Sequence, residues 1–294
     1  MDNMIMFQGV VEDRNDPLKL GRVKVRCFGY HTADKNSLPT SDLPWAHPVT
    51  PITSASESGI GDAPVGPVEG TWVVGFFRDG EDAQFPVFFG TIPGIESQQA
   101  NANEGFYDPT GKYPLEPGQS GVDRLARNEE IEQTIVQEKR NNIDRTVYPV
   151  GFGAVQSETE PVTPYNTEYP FNHVKKTESG HIQEFDDTPG SERIQTYHKS
   201  GTFNEIHPDG TNVTKIVKDN YTAILGEDTL HVKGSVNVQV EGDANIGING
   251  NTNFDFGGNL NVKIGGLFTM QGGGAMSLSS STSINQKAPR IDLN

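Results

Sequence analysis

Residues 223–278 read as seven octads, AILGEDTL HVKGSVNV QVEGDANI GINGNTNF DFGGNLNV KIGGLFTM QGGGAMSL. Glycine holds the same place in each octad, at Gly226, Gly234, Gly242, Gly250, Gly258, Gly266 and Gly274. Because the repeat of eight residues is even, the two-residue alternation of a β-strand stays in phase between octads. Most apolar residues fall at even positions and most polar residues at odd positions, which predicts extended β-structure.

The regular glycines predict how these strands are joined. A helix is excluded because its face recurs about every 3.6 residues and each interior glycine would cost about 1 kcal/mol. Glycine marks a bend or a close approach of backbones, and short strands joined by regular bends wind into a β-helix. An octad is too short for one chain to close around its own core. We therefore expect three chains to intertwine as a homotrimeric rod with the apolar face at its axis.

Composition narrows the class of protein. The 294 residues include 33 glycines and 19 prolines, which favours β-structure and loops over a large helical core. A formal net charge of −16 argues against a nucleic-acid partner. Cys27 is the only cysteine, which excludes an intrachain disulfide or thiolate zinc site and favours assembly in a reducing cytoplasm. We expect neither a signal peptide nor a transmembrane helix.

The first 95 residues predict a compact β-barrel. Apolar or alternating runs indicate five short strands, at Phe7–Val11, Gly21–Gly29, Leu43–Val49, Gly70–Phe77 and Phe85–Thr91. The second run alternates an apolar face with a basic face made of Arg22, Lys24 and Arg26. Five strands with one long loop, at 50–69, are typical of an OB-fold barrel.

These stretches resemble a known family. The chain is similar to the central spike proteins of contractile bacteriophage tails in Gly9–Arg26, Leu43–Trp45, Pro51–Ala55, Ser58–Gly61, Gly66–Gly70 and Val87–Thr91. The octads resemble the spike of the same family and that of the valine-glycine-repeat spikes of type VI secretion. The barrel motifs and the octad repeat are unrelated to each other, and they follow one another along the chain in the same order as in that family.

The resemblance implies a trimeric needle beneath the tail tube. Its barrels would dock on a trimeric baseplate hub protein, and its tip would be driven through the host outer membrane when the sheath contracts. Well-known phage members carry a lysozyme domain between barrel and spike, but the interval of about 75 residues here is too short for one. We predict an OB barrel at 1–95, a linker at 96–170, a β-hairpin neck at 171–222 and a β-helix spike at 223–294.

The interval between barrel and spike shows one helical pattern. Residues Val122–Arg140 predict an amphipathic helix with its apolar side made of Leu125, Ile131, Ile135 and Val136. The rest is rich in Gln, Asn, Pro and Gly, and it either wraps the surface of the trimer or forms a disordered tether. From Phe171 onward, apolar runs alternate with glycine-containing turns, which predicts stacked hairpins.

Two stretches of the barrel resemble reactive sites but have simpler explanations. Glu12, Asp13 and Asp16 lie in a predicted turn, where such carboxylates hydrogen-bond the backbone rather than act as a catalytic pair. The sequence Gly59–Gly61 resembles the start of a phosphate-binding loop, but Pro64 stands at the third glycine position. Both stretches are therefore predicted to be structural.

The histidines and one inward carboxylate are the remaining candidates for a metal. His181, His198 and His207 lie in predicted hairpins without the spacing of metal ligands. Asp228 falls on the even face of the octads, where three copies would either capture a cation or face a wide, wet part of the rod. We predict no catalytic residue, no cofactor and no metal site.

The barrel has residues of the types that bind oligonucleotides or sugars. They are the basic residues of its second strand and the aromatic residues Trp45, Trp72 and Phe76. Yet residues 1–95 hold 12 acidic against 7 basic residues, and a fold alone does not imply a ligand. Docking on another protein is the favoured role.

The carboxyl end predicts the nature of the tip. Some spikes of the resembled family end in a His-x-His iron site, but no histidine follows His231. Ile284, Pro289, Ile291 and Leu293 from three chains would leave an apolar blunt end in water. We expect a separate tip protein, similar to PAAR-repeat cones, to cap this end.

The sequence thus predicts an all-β, non-enzymatic central spike of the virion's tail baseplate, assembled in the host cytoplasm. A type VI secretion spike is one alternative, although such chains usually carry hub domains ahead of the barrel. A cell-wall-degrading, lysozyme-like tail enzyme, with a minimal hydrolase within residues 96–170, is the other.

Overall fold

The computed structural model describes residues 4–95, 99–115, 119–129, 161, 163–240 and 242–291, with the backbone of 148–150 and 156–158. The described residues of 1–143 and 161–223 form one compact unit, and those of 144–160 and 224–294 form a second. The fold is almost entirely β, as predicted, and the helical residues in the described ranges form short 3-10 turns. None of these turns is long and apolar enough to cross a bilayer.

The amino-terminal residues form a closed five-stranded barrel, which confirms the predicted OB fold. Its strands are β1 (Ile5–Asp13), β2 (Val23–Cys27), β3 (Trp45–Pro48), β4 (Trp72–Phe77) and β5 (Pro86–Thr91). They follow the order β1-β2-β3-β5-β4, and β4 pairs again with β1. The β3–β5 pair is parallel and the others are antiparallel.

The core of the barrel is made by alternating apolar residues of all five strands. It contains Phe7, Val11, Val23, Val25, Cys27, Ala46, Val73, Phe77, Ala83 and Phe88. A side chain at Gly75 would collide with the Val87 carbonyl and the Phe7 ring, so glycine lets β4 and β5 approach and the barrel close. Burial raises the pKa of the Cys27 thiol to about 12, which leaves it unreactive.

Strand β2 is buried on both faces, including the basic face that its alternation predicted. Segment 99–115, predicted as linker, lies over the basic side: the Gly105 N–H donates to the Ala33 carbonyl at 2.8 Å and the Phe106 N–H to Glu12 at 2.9 Å. The predicted alternation holds, because Val23, Val25 and Cys27 lie in the barrel core, and the basic side is covered by a segment that lies far along the chain. The covered residue, Arg26, is considered below.

Residues 119–129 form a short ordered stretch in place of the start of the predicted helix. Asp123 caps a 3-10 turn, Arg124–Arg127, by accepting a hydrogen bond from the Leu125 N–H at 2.9 Å. Asn128 then adopts a left-handed conformation with φ 48°, which ends the turn. The prediction of an α-helix was therefore wrong for residues 122–129, and Ile131, Ile135 and Val136 lie outside the described residues.

The predicted hairpins form a five-stranded antiparallel meander, which we call the neck sheet. Its strands are β8 (Asn172–Lys176), β9 (Ile182–Asp186), β10 (Arg193–Tyr197), β11 (Phe203–Ile206) and β12 (Asn212–Lys215). Each strand pairs with its neighbour in sequence across a tight turn. In the second unit, β6 (Tyr148–Val150) and β7 (Gln156–Glu158) form a short antiparallel pair within the interval predicted as linker.

Candidate assembly and docking surfaces

The octads share one regular feature, a bend that recurs with the period of the repeat. The backbone bends at each of the seven repeat glycines, and again at residues 281–282, where the spacing of eight residues continues without glycine. The periodic bends predicted from the glycines are therefore confirmed. No described residue of 216–291 belongs to a β-ladder, so the intertwined β-helix stays a prediction.

We define the octad face as the apolar side chains at even positions from Ile224 to Leu278. Its aliphatic, aromatic and methionine side chains are between 44% and 87% exposed. Every described residue of 218–291 is exposed as well. A soluble protein rarely exposes so long a contiguous apolar surface unless a partner covers it. The octad face is therefore the largest candidate assembly surface.

Contacts among the described residues of one chain do not explain why glycine stands at the repeat positions. A methyl group added at Gly226, Gly234, Gly242, Gly250, Gly258, Gly266 or Gly274 would meet no atom within 4 Å. None of these glycines has a positive φ. Glycine is otherwise needed where a second backbone approaches closely, and none of the described residues comes that close.

The predicted tip residues are equally uncovered. Ile284 is 49% and Ile291 48% exposed, and Pro289 is exposed too. Leu293 lies outside the described residues. Asp228 is exposed in the single chain, so its role on an axis stays a prediction.

The basic residues of β2 are neutralised inside the barrel rather than presented to a ligand. Arg26 is fully buried and donates to the Glu12 carboxylate at 2.6 and 3.1 Å. Burial alone would raise the pKa of Glu12, but the hydrogen bonds that it accepts, first of all from Arg26, lower it. Lys24 donates to the Ser41 carbonyl. These two cations cannot reach a phosphate.

The third basic residue and the nearby tryptophan are also engaged. Arg22 pairs with Asp16 at 2.6 Å, and this hydrogen bond is the main reason that the pKa of Asp16 is lowered. The guanidinium of Arg22 lies 5.5 Å and the Lys24 ammonium 5.1 Å from the Trp45 ring centroid. A stacking site for bases on this surface is therefore unsupported.

The acidic turn and the glycine loop are structural, as predicted. Asp13 accepts from the Asn15 N–H at 2.8 Å, and Asp16 from the Leu18 and Leu20 N–H groups at 3.0 and 2.8 Å. In the loop after β3, the Ala55 N–H donates to the Ile60 carbonyl at 2.9 Å. The two glycines of 59–61 both have positive φ, which suits a tight loop.

The histidines do not assemble a metal site. The His181 and His198 rings lie 4.4 Å apart between centroids, a contact that the sequence did not reveal, and His207 lies 3.2 Å from Glu205. The His198 ring accepts the Ser200 N–H at 3.1 Å through Nδ1. Among the described residues, no three His, Cys, Asp or Glu side chains are placed to hold a metal ion.

A group that the sequence did not reveal is the neck charge cluster, made of Arg193, Glu184, Asp186 and Glu205. Arg193 is fully buried, and it donates to Glu184 and to Glu205 at 2.9 Å each. Hydroxyl groups of Thr163, Thr167 and Thr188 donate to the acids. All four side chains are closed off from solvent, which favours a structural role over catalysis.

A second unforeseen group joins the barrel to the neck sheet within the first unit. Glu178, in the β8–β9 turn, accepts hydrogen bonds from Arg14, Lys112 and Tyr113. The Arg14 guanidinium lies 3.0 Å and the Lys112 ammonium 2.5 Å from the Glu178 carboxylate. These contacts, led by the one from Arg14, lower the pKa of Glu178. We call this group the Glu178 latch.

Comparisons with known proteins agree with the barrel. The Gp5 N-terminal OB domain family matches residues 29–181, a range that includes the segment covering β2. The chain is similar to protein Gp5 of Vibrio phage KVP40, with 43% identity over 254 residues, 76% of this chain and 60% of that protein. It is also similar to the pre-baseplate central spike protein Gp5 of Enterobacteria phage T4, with 49% identity over 122 residues, 40% of this chain and 21% of that protein. The chain thus spans less than two thirds of either relative.

Proposed function

Because this chain belongs to the Gp5 N-terminal OB domain family, we propose that it is a structural subunit of the central spike in a contractile phage tail baseplate. The name of the T4 relative supports this role, and neither relative is named as an enzyme. The proposed location is accordingly the tail of the virion, after assembly in the host cytoplasm.

The observation that carries the proposal is the uncovered octad face. Its apolar side chains are about half exposed or more and its repeat glycines have open space among the described residues, and both would be covered if three copies wound together. Each fully buried large apolar side chain would contribute about 1.5 to 3 kcal/mol. Strand edges would be satisfied by neighbouring chains, which removes the edges that promote aggregation. The active form is therefore a homotrimer.

A rod built in this way suits a mechanical task. It cannot bend at one level without breaking the contacts of several strands and opening a close-packed core. We propose that the barrels dock on a trimeric hub protein and that a PAAR-like protein caps the end near Ile284, Pro289 and Ile291. Sheath contraction would then drive the capped rod through the host outer membrane.

The mass of the purified chain in solution tests the proposal. Sedimentation equilibrium or native mass spectrometry is expected to give three times the 32.0 kDa of one chain at micromolar concentration. A compact monomer would contradict the trimer and the piercing role together. In electron micrographs of tail particles, antibodies to the octads are expected to label the tip of the tail.

A cell-wall assay tests the non-enzymatic part of the proposal. The trimer is expected to leave the turbidity of a peptidoglycan suspension unchanged, with hen lysozyme as positive control. Clearing of the suspension that disappears when acidic residues of 96–170 are neutralised would contradict it.

A further inference from the structure

An open groove lies on the barrel between the loop after β3 and strand β5. Its volume is about 290 Å³, at the lower end of ligand pockets, which suits one or two side chains rather than a cofactor. Its apolar lining comes from Val49, Pro51, Pro64, Pro67, Phe88 and Phe89. We call this the barrel groove.

The loop beside the barrel groove exposes further apolar side chains. Ile52 is fully exposed, and Ile60 and Val65 are 71% and 76% exposed. A single exposed aliphatic residue needs no explanation, but several beside an apolar groove mark an interaction surface. The neutralised basic residues of β2 are not part of the lining. This surface is therefore independent of the ligand site that was considered for the barrel.

Hydrogen bonds hold this loop in place although it projects into water. The Thr50 and Ser56 hydroxyl oxygens lie 2.5 Å apart, and the Asp62 N–H donates to the Ser54 hydroxyl at 3.1 Å. Prolines within the lining fix φ and so restrict the loop further. A surface that is already ordered loses little conformational entropy when a partner binds.

In the described part of the chain, the one charged residue that lines the barrel groove is an acid, Asp62. From Leu43 to Phe77 the sequence has no lysine or arginine. Of its three acids, Glu69 pairs with Arg14 at 3.2 Å, while Glu57 and Asp62 are exposed and form no ion pair with the described residues. A second copy would add like charge here, because the chain carries −16. Complementarity therefore favours a different, basic protein.

From this lining and charge we propose that the barrel groove receives an apolar side chain of a different tail protein, flanked by lysine or arginine. The inference rests on the proposed function and names the surface and the chemistry of the docking contact. The apolar side chain fills the groove, and the flanking cations face Glu57 and Asp62.

Photo-crosslinking in assembled tail particles tests the contact directly. Benzoylphenylalanine at position 60 is expected to give a product with another tail protein, whose crosslinked peptide contains lysine or arginine within about four residues. The same probe at position 18, an exposed leucine of the β1–β2 loop, is the control. Products with a second copy of this chain, or yields no higher than at position 18, would overturn the proposal.

Charge reversal gives a second, quantitative test. The double variant Glu57→Lys/Asp62→Lys is expected to lower the number of copies per purified tail particle about tenfold, because like charges then oppose each other. Glu104→Lys, an exposed acid outside the groove, is the matched control. All these proteins are expected to keep the mass of three chains.

The outcomes separate the two proposals. Normal incorporation of the trimeric double variant would overturn the groove contact while the spike function stands. Absence of the unaltered chain from tail particles would overturn both. Loss of the double variant alone supports the groove contact.

Discussion

Val10, Val11 and Val25 are completely buried in the barrel by residues of their own chain, whereas Val232, the least exposed valine of the octads, stays 44% exposed. The same contrast holds for glycine. Gly75 is hemmed in by Val87 and Phe7, while Gly250 has open space around it. Valine and glycine therefore have different structural roles in the two regions. In the barrel they close one chain on itself, and in the octads they lie uncovered where we propose that other chains pack.

This contrast predicts which parts of the molecule have an unfolding free energy that depends on protein concentration. The barrel and the neck sheet each bury a core within one chain, so their unfolding should not depend on protein concentration. The octads should be ordered only in the assembly, because binding stabilises what the free chain cannot. Four experiments test this division.

The largest effect is expected from a charge on the octad face. Val262→Asp would place three carboxylates near the axis of a trimer, where burial of unpaired charge costs several kcal/mol per ion. Its mass by sedimentation equilibrium is expected to fall from three chains to one. Asn261→Asp, a neighbouring polar position, is the control and should remain trimeric. Equal behaviour of the two variants would show that the octad face is not covered in the assembly.

A large effect is also expected from the buried ion pair of the barrel. Arg26→Leu leaves the Glu12 carboxylate buried without its cation, which should lower the free energy of unfolding by about 3 to 5 kcal/mol. Urea unfolding followed by tryptophan fluorescence measures the loss, which should be the same at all protein concentrations. Lys112→Leu, whose cation is half-exposed, is the control and should change stability far less. A loss that grows on dilution would contradict the division.

The next largest effect is expected when alanine replaces a glycine of the barrel or a glycine of the octads. Gly75→Ala should lower the unfolding free energy of the barrel by about 1 to 3 kcal/mol, because the methyl group meets atoms of the same chain. If no second backbone approached it in the assembly, Gly250→Ala would instead stabilise the octads by about 0.4 to 1 kcal/mol, since its φ is not positive. We expect it to weaken the trimer, as measured by the denaturant midpoint of dissociation. A stabilised trimer would exclude close approach of backbones at the octad glycines.

The smallest effect is expected at the Glu178 latch. The pKa of Glu178 is lowered in the folded chain, so its contribution is present above the ordinary value of 4.5 and is lost as the pH falls below that value. Glu178→Gln should therefore lower the melting temperature slightly at pH 7, and the difference should shrink below about pH 4. A difference that grew on acidification would contradict the latch.

The sequence predicted the parts of this fold that depend on local pattern. Each end of the five barrel strands lies within two residues of the corresponding end of the predicted run. The agreement is close because alternation and turn residues are local signals. The bends of the octads follow from the glycine period. The hairpins of the neck sheet were predicted as well, and the strands β8 to β12 lie within the range predicted for them.

Contacts between distant segments could not be predicted in the same way. A charged residue in a hairpin strand is ordinarily exposed to water, yet Glu184 is buried against Arg193. Arg26 lies on the predicted basic face, but the segment that covers this face begins some seventy residues later in the sequence. The barrel groove likewise depends on how the loop after β3 returns to β5. Alternation shows that two faces differ, but not what covers either of them.

Cys27 gives the chain a practical property. It is the sole sulfhydryl among 294 residues, and its place in the barrel core keeps it from reacting. A cysteine introduced at Asn261 or Ile60 would therefore be the one position in each subunit that takes a maleimide dye. Fluorophores attached there would report distances between equivalent points of neighbouring subunits, without removal of the native thiol.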